Sequence, residues 1–430
     1  MVPSLIGIAI LLALAFSGVP LGFSMIAVGF VGFGMVRSWE ASLEMTGQII
    51  LDLSMNYGFS TLPLFVLMGT FVYRSGLSED LYETANAWLG HFRGGLAMAT
   101  IAACGGFSAV SGSSAATAAT MAKVALPPMR RFGYADTLAT GSIAAGGTMG
   151  ILIPPSVGLI VYGLLANEDI GALFMAGIIP GLITISLYII AIDVITRINR
   201  KVGPEGPRSP WSKRWRSLYK VWGVLALFLF ILGGIYAGVF TPTEAGAMGA
   251  TGAFVFALAR RRLKWLDFLA ALIEAGRTTA MIFTVGFGAL ILFNFVNISG
   301  MPGEIVDGIK DLDLAPMGAI LAIIGIYLIM GCVFDGMAII LLTTPIFAPV
   351  VSLLGFDLIW FGIVMIVAGE IAMITPPVGL NVFVLKTVVP DVPLNVIYRG
   401  ILPFLAADIV RLALILFVPS ISLLLPRLMG

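Results

Sequence analysis

A single histidine and two cysteines in 430 residues leave this chain almost without metal-ligand or nucleophile chemistry. His91 belongs to no cluster of Cys, His and carboxylates at metal-ligand spacing, which argues against a metallohydrolase. Cys104 and Cys332 sit in apolar surroundings and read as packing residues. Charge is also scarce. Only 11% of residues are Asp, Glu, Lys or Arg, and the longest polar stretch is 197–220, so there is no soluble domain of any size. The one compact basic run, RRRLK at 260–264, reads as a topology anchor rather than a nucleic-acid patch. The start of the chain, 1–17, is apolar without a basic region or small-residue cleavage site, and reads as a first helix, not a signal peptide.

What the chain has in excess is apolar sequence. Hydrophobic residues make up 59% of it and the mean hydropathy is +1.05, which predicts an all-α polytopic membrane protein. Two apolar runs are interrupted at matching places, GGTMGILIPPSVGLIVYG at 146–163 and AGEIAMITPPVGLNVFVL at 368–385. The bilayer core has no water to satisfy freed backbone groups, so a broken helix survives only where it lines a site or is buried in protein. Paired interruptions of this kind point to the binding site of a secondary transporter.

The interruptions belong to an internal repeat. Phe71-Val72 and Ser75-Gly76 recur as Phe295-Val296 and Ser299-Gly300. Ser111-Gly112 recurs as Asp335-Gly336, Gly133 as Gly355, Pro154-Pro155 as Pro376-Pro377, and Gly177 and Pro180 as Gly400 and Pro403, all near an offset of about 224 residues. Each half is predicted to hold five spanning segments and one re-entrant hairpin. The spans are 3–17, 20–36, 60–73, a broken helix at 134–165, and 170–195, then 221–237, 242–259, 278–297, a broken helix at 358–385, and 399–419. The first repeat thus occupies 1–196, a basic linker 197–220, and the second repeat 221–430. Polar arms follow the third span of each half, at 77–92, read as an amphipathic surface helix, and at 302–314. The small-residue segments 94–128 and 315–354 are the hairpins. A helix from 94 to 111 covers about 25 Å, against a hydrocarbon core about 30 Å thick, so each limb is expected to reach the midplane and turn back.

Five crossings per half give the halves opposite topology. With the linker in the cytoplasm and both termini outside, about 20 of the 24 Lys and Arg fall inside, as the positive-inside rule asks. The outer loops are acidic or weakly charged. The first hairpin then opens from the cytoplasmic side and the second from outside.

Sodium is a hard cation that wants oxygen ligands, which unwound carbonyls and half-helix ends supply. Half-helix N-termini offer positive dipole ends to anions. Each half pairs a hairpin tip with a Pro-broken helix, so two cation sites flanking a central anion site are expected. The first takes Ser108, Ser111 and Ser113 with Gly150, Ile153 and Pro154, and the second takes Asp335 and Gly336 with Met373, Thr375 and Pro376. The anion site takes Ser114, Ser156, Pro155, Pro377, Gly379 and Asn381. Serines and threonines are also ordinary helix-packing residues. Asp335 reads either as an ion ligand deep in the bilayer or as a turn-forming Asp-Gly. Glu370, in the same broken helix as Thr375, could gate or bind. Plainer roles suit Thr241-Pro242-Thr243-Glu244 as a capping box, and Asp408/Arg411 and Asp193/Arg197 as same-face pairs. His91 reads as interfacial.

The motifs SAVSGSSAATAAT (108–120), AAGGTMGILIPPS (144–156), GVFTPTEAGA (238–247) and ITPPVGLN (374–381) resemble the large membrane subunit of the TRAP (tripartite ATP-independent periplasmic) transporters over nearly the whole length. The resemblance implies an elevator carrier in a bacterial inner membrane, with termini in the periplasm. It implies two partners, a small four-helix membrane subunit and a periplasmic substrate-binding protein. It also implies sodium-driven import of an organic acid anion of the C4-dicarboxylate or sialic acid class, with sodium-binding elements at the tips around Ser111 and Asp335 and the breaks around Pro154 and Pro376. No cofactor beyond the coupling ion is implied. The alternatives are a stand-alone sodium–anion symporter of related architecture, and a membrane-embedded enzyme using Asp335 and Glu370 as an acid–base pair. No second motif completes a catalytic set for the enzyme, and hairpin gates on both sides suit alternating access better than a channel.

Overall fold

In the computed structural model, which describes residues 2–261, 263–311, 315–331 and 334–429, the chain forms α-helices and short 3-10 turns, with no strand among the described residues. Arg262, Cys332 and the last three residues of the second arm lie outside them. The first half runs α1 (Val2–Phe16), α2 (Leu21–Val36), α3 (Trp39–Met55), α4 (Thr61–Arg74), α5 (Leu77–Leu89), α6 (Gly95–Ser111), α7 (Ser114–Arg131), α8 (Asp136–Thr148), α9 (Val157–Ala166) and α10 (Ile170–Ile198). The second runs α11 (Trp211–Tyr236), α12 (Pro242–Ala259), α13 (Trp265–Ile298), α14 (Met301–Asp311), α15 (Pro316–Met330), α16 (Gly336–Leu353), α17 (Leu358–Ala372), α18 (Leu380–Val388), α19 (Leu394–Phe417) and α20 (Ser420–Met429). Among the described residues five helices, α10, α11, α13, α16 and α19, are long and apolar enough to cross a membrane.

The element order of the second half follows that of the first, and the turns carry the same chemistry. Glycines with positive φ recur at corresponding places, Gly76 (73°) with Gly300 (75°) and Gly133 (76°) with Gly355 (82°), each ending a helix in the left-handed conformation that side chains resist. Caps are as the local sequence dictates. Thr241 and Glu244 close a reciprocal capping box on α12, and Asp169 caps α10 through Ala172 N at 2.6 Å.

Several expected boundaries change. Residues 39–55, assigned to no element by the sequence pattern, form α3, and α13 begins thirteen residues before the span expected at 278. Glu40, Glu44, Gln48 and Asp52 repeat every four residues along α3 and dilute its hydropathy, although that spacing is itself helical. α3 and the segment through α4 are bent by 56°, whereas their counterpart α13 is one continuous helix. α20 follows the last expected span. The linker shrinks to 199–210 and is tied down: Gly94 N donates to Gly203 O (3.0 Å), Ala135 N to Val202 O (3.0 Å) and Tyr134 OH to Pro204 O (2.9 Å). Nor is the first arm a free surface helix. α5 buries Leu77, Asp80, Tyr82, Thr84 and Ala87 between α6 and α11. Arg260, the C-cap of α12, reaches Asp80 at 2.5 Å and Lys220 on α11 reaches Glu83 at 2.5 Å.

Packing is crosswise between halves. α2 lies on α13 and α12 on α4, while the second limb of each hairpin packs against the second segment of the other half's broken helix, α7 on α18 and α16 on α9. Where helices cross most closely the contact is backbone on backbone, as small residues permit in membranes. A Cβ at Gly400 on α19 would sit 1.9 Å from Thr137 O on α8. Gly400→Ala is therefore expected to destabilise by about 1–3 kcal/mol or more. This should read out as a fall in the thermal unfolding midpoint in detergent, with Gly276→Ala, whose Cβ meets nothing within 4 Å, as the unaffected control.

Candidate functional site

The two hairpin tips and the two breaks meet around one cavity of about 490 Å³. The first tip arises because α6 ends at Gly112 (φ 59°) and Ser113, extended, caps α7 through Ala116 N at 3.4 Å. Ser111 Oγ and Thr117 Oγ1 are hydrogen-bonded at 2.6 Å, and Thr117 Oγ1 donates to Ser113 O at 2.9 Å, so the tip is braced internally. It rests directly on the first break. A Cβ at Gly150 would lie 2.6 Å from Ser113 C and 2.7 Å from Ser114 N, and Ser114 Oγ donates to Thr148 O at 3.2 Å. The break itself, between α8 and α9, contains Pro154-Pro155 and is almost wholly buried. Leu152 O approaches α10 where Gly177 leaves room, 2.8 Å from a would-be Cβ.

The second tip is built from Asp335, which caps α16 with Oδ1 accepting from Ala338 N at 3.0 Å, while its side chain remains exposed on the cavity wall. Asp335 is thus both a helix cap and part of the cavity wall. Gly336 packs against the first break through Ile151 and against the second through Met373, with would-be Cβ distances of 2.7 and 3.0 Å. In the second break, between α17 and α18, Gly379 (φ 63°) lets the chain fold back onto its own carbonyls; a Cβ there would stand 3.2 Å from Met373 O and 3.3 Å from Thr375 O. Asn381 N donates to Met373 O at 3.1 Å. Unlike Pro154-Pro155, Pro376-Pro377 is exposed, with Tyr398 OH bonded to Pro377 O at 2.8 Å and to Val378 O at 2.6 Å.

Of the residues singled out by sequence, Ser111, Ser113, Ser114, Pro155, Asp335, Gly336 and Met373 line the cavity. Ser108, Gly150, Ile153, Pro154, Ser156, Thr375, Pro376, Pro377, Gly379 and Asn381 stand outside its lining. Ser156 is wholly buried and its hydroxyl is consumed locally, donating to Ile151 O at 2.5 Å and capping α9 through Leu159 N at 3.3 Å. Ser108 Oγ and both polar atoms of the Asn381 amide are buried without a hydrogen-bond partner among the described residues, a costly condition that an added ligand would relieve. The sequence reading missed the opposite wall, α4 with Phe65, Thr70 and Tyr73 and α13 with Glu274, Thr278 and Ile282, and the face of α7 running from Ala115 to Lys123. A small-residue stripe at helical spacing on α7 was the available signal.

Glu370 is not part of the cavity. It is fully buried, and Arg411 Nη1 donates to its Oε2 at 2.9 Å and to Thr184 Oγ1 at 2.7 Å. Arg411 Nη2 lies 2.9 Å from Asp408 Oδ1, and Tyr188 OH lies 2.8 Å from both oxygens of Asp408. The same-face pair expected at 408 and 411 is thus one edge of a larger buried cluster joining α10, α17 and α19. Asp335 and Glu370 therefore form no acid–base pair. Away from the cavity, Arg130 bridges Asp136 (2.8 Å) and Asp391 (2.6 Å), and its hydrogen bond holds the Asp391 carboxyl below the ordinary carboxylate range. Asp193 and Arg197 pair at 2.8 Å on the exposed face of α10, and His91, at the end of the arm, stands 3.4 Å from Arg214.

An all-helical chain with crossed repeats, two hairpin tips and two broken helices around one cavity defines a polytopic membrane carrier rather than an enzyme. The comparisons name the carrier's family: the model for the tripartite ATP-independent periplasmic transporter, DctM component, matches residues 8–421, and the chain belongs to that family. It is similar to the C4-dicarboxylate TRAP transporter large permease protein DctM of Pseudomonas aeruginosa, 38% identical over 89% of each chain. It is 33% identical to the sialic acid TRAP transporter large permease protein SiaM of Vibrio cholerae, over 97% of each, and 33% identical to the ectoine/5-hydroxyectoine large permease protein UehC of Ruegeria pomeroyi, over 96% of each. Its fold is like that of the Alcanivorax borkumensis YdaH transporter, with a TM-score of 0.67 at 12% identity over 99% of this chain and 98% of that one.

Proposed function

We propose that this chain is the permease of a sodium-coupled importer of organic acid anions, of the C4-dicarboxylate or sialic acid class. In this reading a periplasmic binding protein feeds it, a small membrane subunit completes it, and it works as an elevator. The observation that carries the reading is the convergence of both tips and both breaks on one cavity between α4 and α13. The oxygen set suits a hard monovalent cation: hydroxyls at Ser111 and Ser113, the Asp335 carboxylate, and the carbonyls of Met373 and Thr375 gathered by the turn at Gly379. The relatives named above handle dicarboxylates, sialic acid and ectoines, which share a carboxylate, so the solute class rests on that common group.

In this reading the packing supports the following cycle. Sodium at the two tips holds Ser111–Ser114 on the first break and Asp335-Gly336 on the second, contacts already in place, and so completes the anion site between them. With the basic helix ends inside, the cavity lies on the inward route. The loaded hairpins and breaks then move against α2, α4, α12 and α13, with α5 and α14 taking up the displacement.

The test is uptake by the reconstituted complex with its binding protein. Asp335→Ala is expected to abolish sodium-dependent uptake while the complex still assembles; normal uptake with unchanged sodium dependence would sink the assignment of the second site. Uptake needing no binding protein would favour a stand-alone symporter.

A further inference from the structure

We propose that Lys123 is a carboxylate-binding station on the inward exit of the cavity, where the transported anion rests before release. The inference rests on the reading of this chain as an organic-anion carrier. Lys123 lies on α7 nine residues beyond Ser114, about 13 Å farther along the helix axis. Between them the cavity-facing positions are small, Ala116, Ala119 and Thr120, so the groove stays open from the tip to the lysine. Lys123 is the one cation among the described residues lining the cavity, and it is exposed.

Its charge is not cancelled locally. Glu274 faces the same cavity from α13, but its carboxylate is paired at 2.9 Å with Arg74 on α4, which also faces Asp267 at 3.9 Å, and not with Lys123. Lys123 has no ion pair or hydrogen bond among the described residues. Asp335, the other carboxylate of the lining, belongs to the second tip, so along the α7 wall Lys123 is the local attraction for an anion. An ammonium is a compact point charge, suited to transient capture of a carboxylate rather than bidentate clamping. Its place fits the exit: the lysine stands about 13 Å along α7 from the first tip and takes the anion as that tip releases it.

The experiment uses the complete complex in proteoliposomes, with succinate and N-acetylneuraminate as probes, comparing half-saturation for internal anion in counterflow with that for external anion in uptake. Lys123→Gln is expected to raise the internal value by about three- to ten-fold and to flatten its dependence on ionic strength, as loss of an exposed charge contact does. The external value should stay within about two-fold. Lys123→Arg should restore both readouts. Unchanged internal half-saturation and salt dependence in Lys123→Gln, with an active wild type, overturns the station. A wild-type complex that carries neither probe instead overturns the underlying organic-anion reading, and the station with it.

Discussion

Arg411→Met is expected to remove about 3–5 kcal/mol of stability, a large share of what a domain has, and with it most of the folded protein. The reason is arithmetic of charge in a place without water. Arg411, Glu370 and Asp408 are all fully buried, and one guanidinium answers two carboxylates. Removing the guanidinium leaves both carboxylates uncompensated and frees Thr184 Oγ1 of its donor. The cost comes from stranding, not from the worth of the bridges, since burying the ions already offsets much of their attraction. A second variant separates the two. Replacing the cluster together, Arg411→Met with Glu370→Met, Asp408→Leu and Tyr188→Phe, should regain most of the lost stability because nothing charged is left behind. Size-exclusion profiles and thermal unfolding of the detergent-solubilised protein read both. A single variant that unfolds within a few degrees of wild type would mean the cluster does not hold α10, α17 and α19 together.

That cluster also marks where sequence reading reaches its limit. The pair Asp408 and Arg411 was legible because residues three apart on a helix share a face. Glu370 was not, because its partner is 41 residues away on another helix. The tips were legible for a similar local reason: Ser111-Gly112-Ser113-Ser114 and Asp335-Gly336 interrupt apolar runs where nothing but a turn explains them. So was the repeat, since the Ser-Gly pairs at 75–76 and 299–300 both need a left-handed glycine. The cavity's far wall was hidden. Thr70, Tyr73, Glu274 and Thr278 belong to helices about 200 residues apart that meet only in three dimensions. Ser156 misled in the opposite direction, since a hydroxyl at a helix start is most cheaply used by the helix itself.

The halves correspond in order but differ in how their breaks are housed. Pro154-Pro155 is buried, while Pro376-Pro377 is exposed and held by Tyr398 through the carbonyls of Pro377 and Val378. The first tip presents hydroxyls and the second a carboxylate. The first pairing is therefore the more rigid, set by direct backbone contact at Gly150, and the second is set by a capping carboxylate that a cation would share. This difference predicts that the first site tolerates the least change in shape.

Gly150→Ala is accordingly expected to reduce sodium-dependent uptake by at least about ten-fold and to raise the sodium concentration for half-activation by a similar factor, without preventing assembly. The added Cβ would lie 2.6 Å from Ser113 C and 2.7 Å from Ser113 O and Ser114 N, and all three are backbone atoms that no rotamer change can move. Relief requires the tip to lift from the break. A hard cation of this size holds its oxygens at about 2.3–2.6 Å, so a lift of half an ångström or so breaks the shell. The stability cost stays near the about 1–3 kcal/mol of overpacking, because the tip can yield outward into the cavity. Gly158→Ala is the matched control on α9. Its Cβ would first meet the end of the Ile340 side chain at 3.1 Å, which can turn aside. Sodium activation of uptake, measured for both variants in the same proteoliposomes, decides the matter: a Gly150→Ala curve that overlays wild type would show that contact between the first tip and the first break is not what binds the ion.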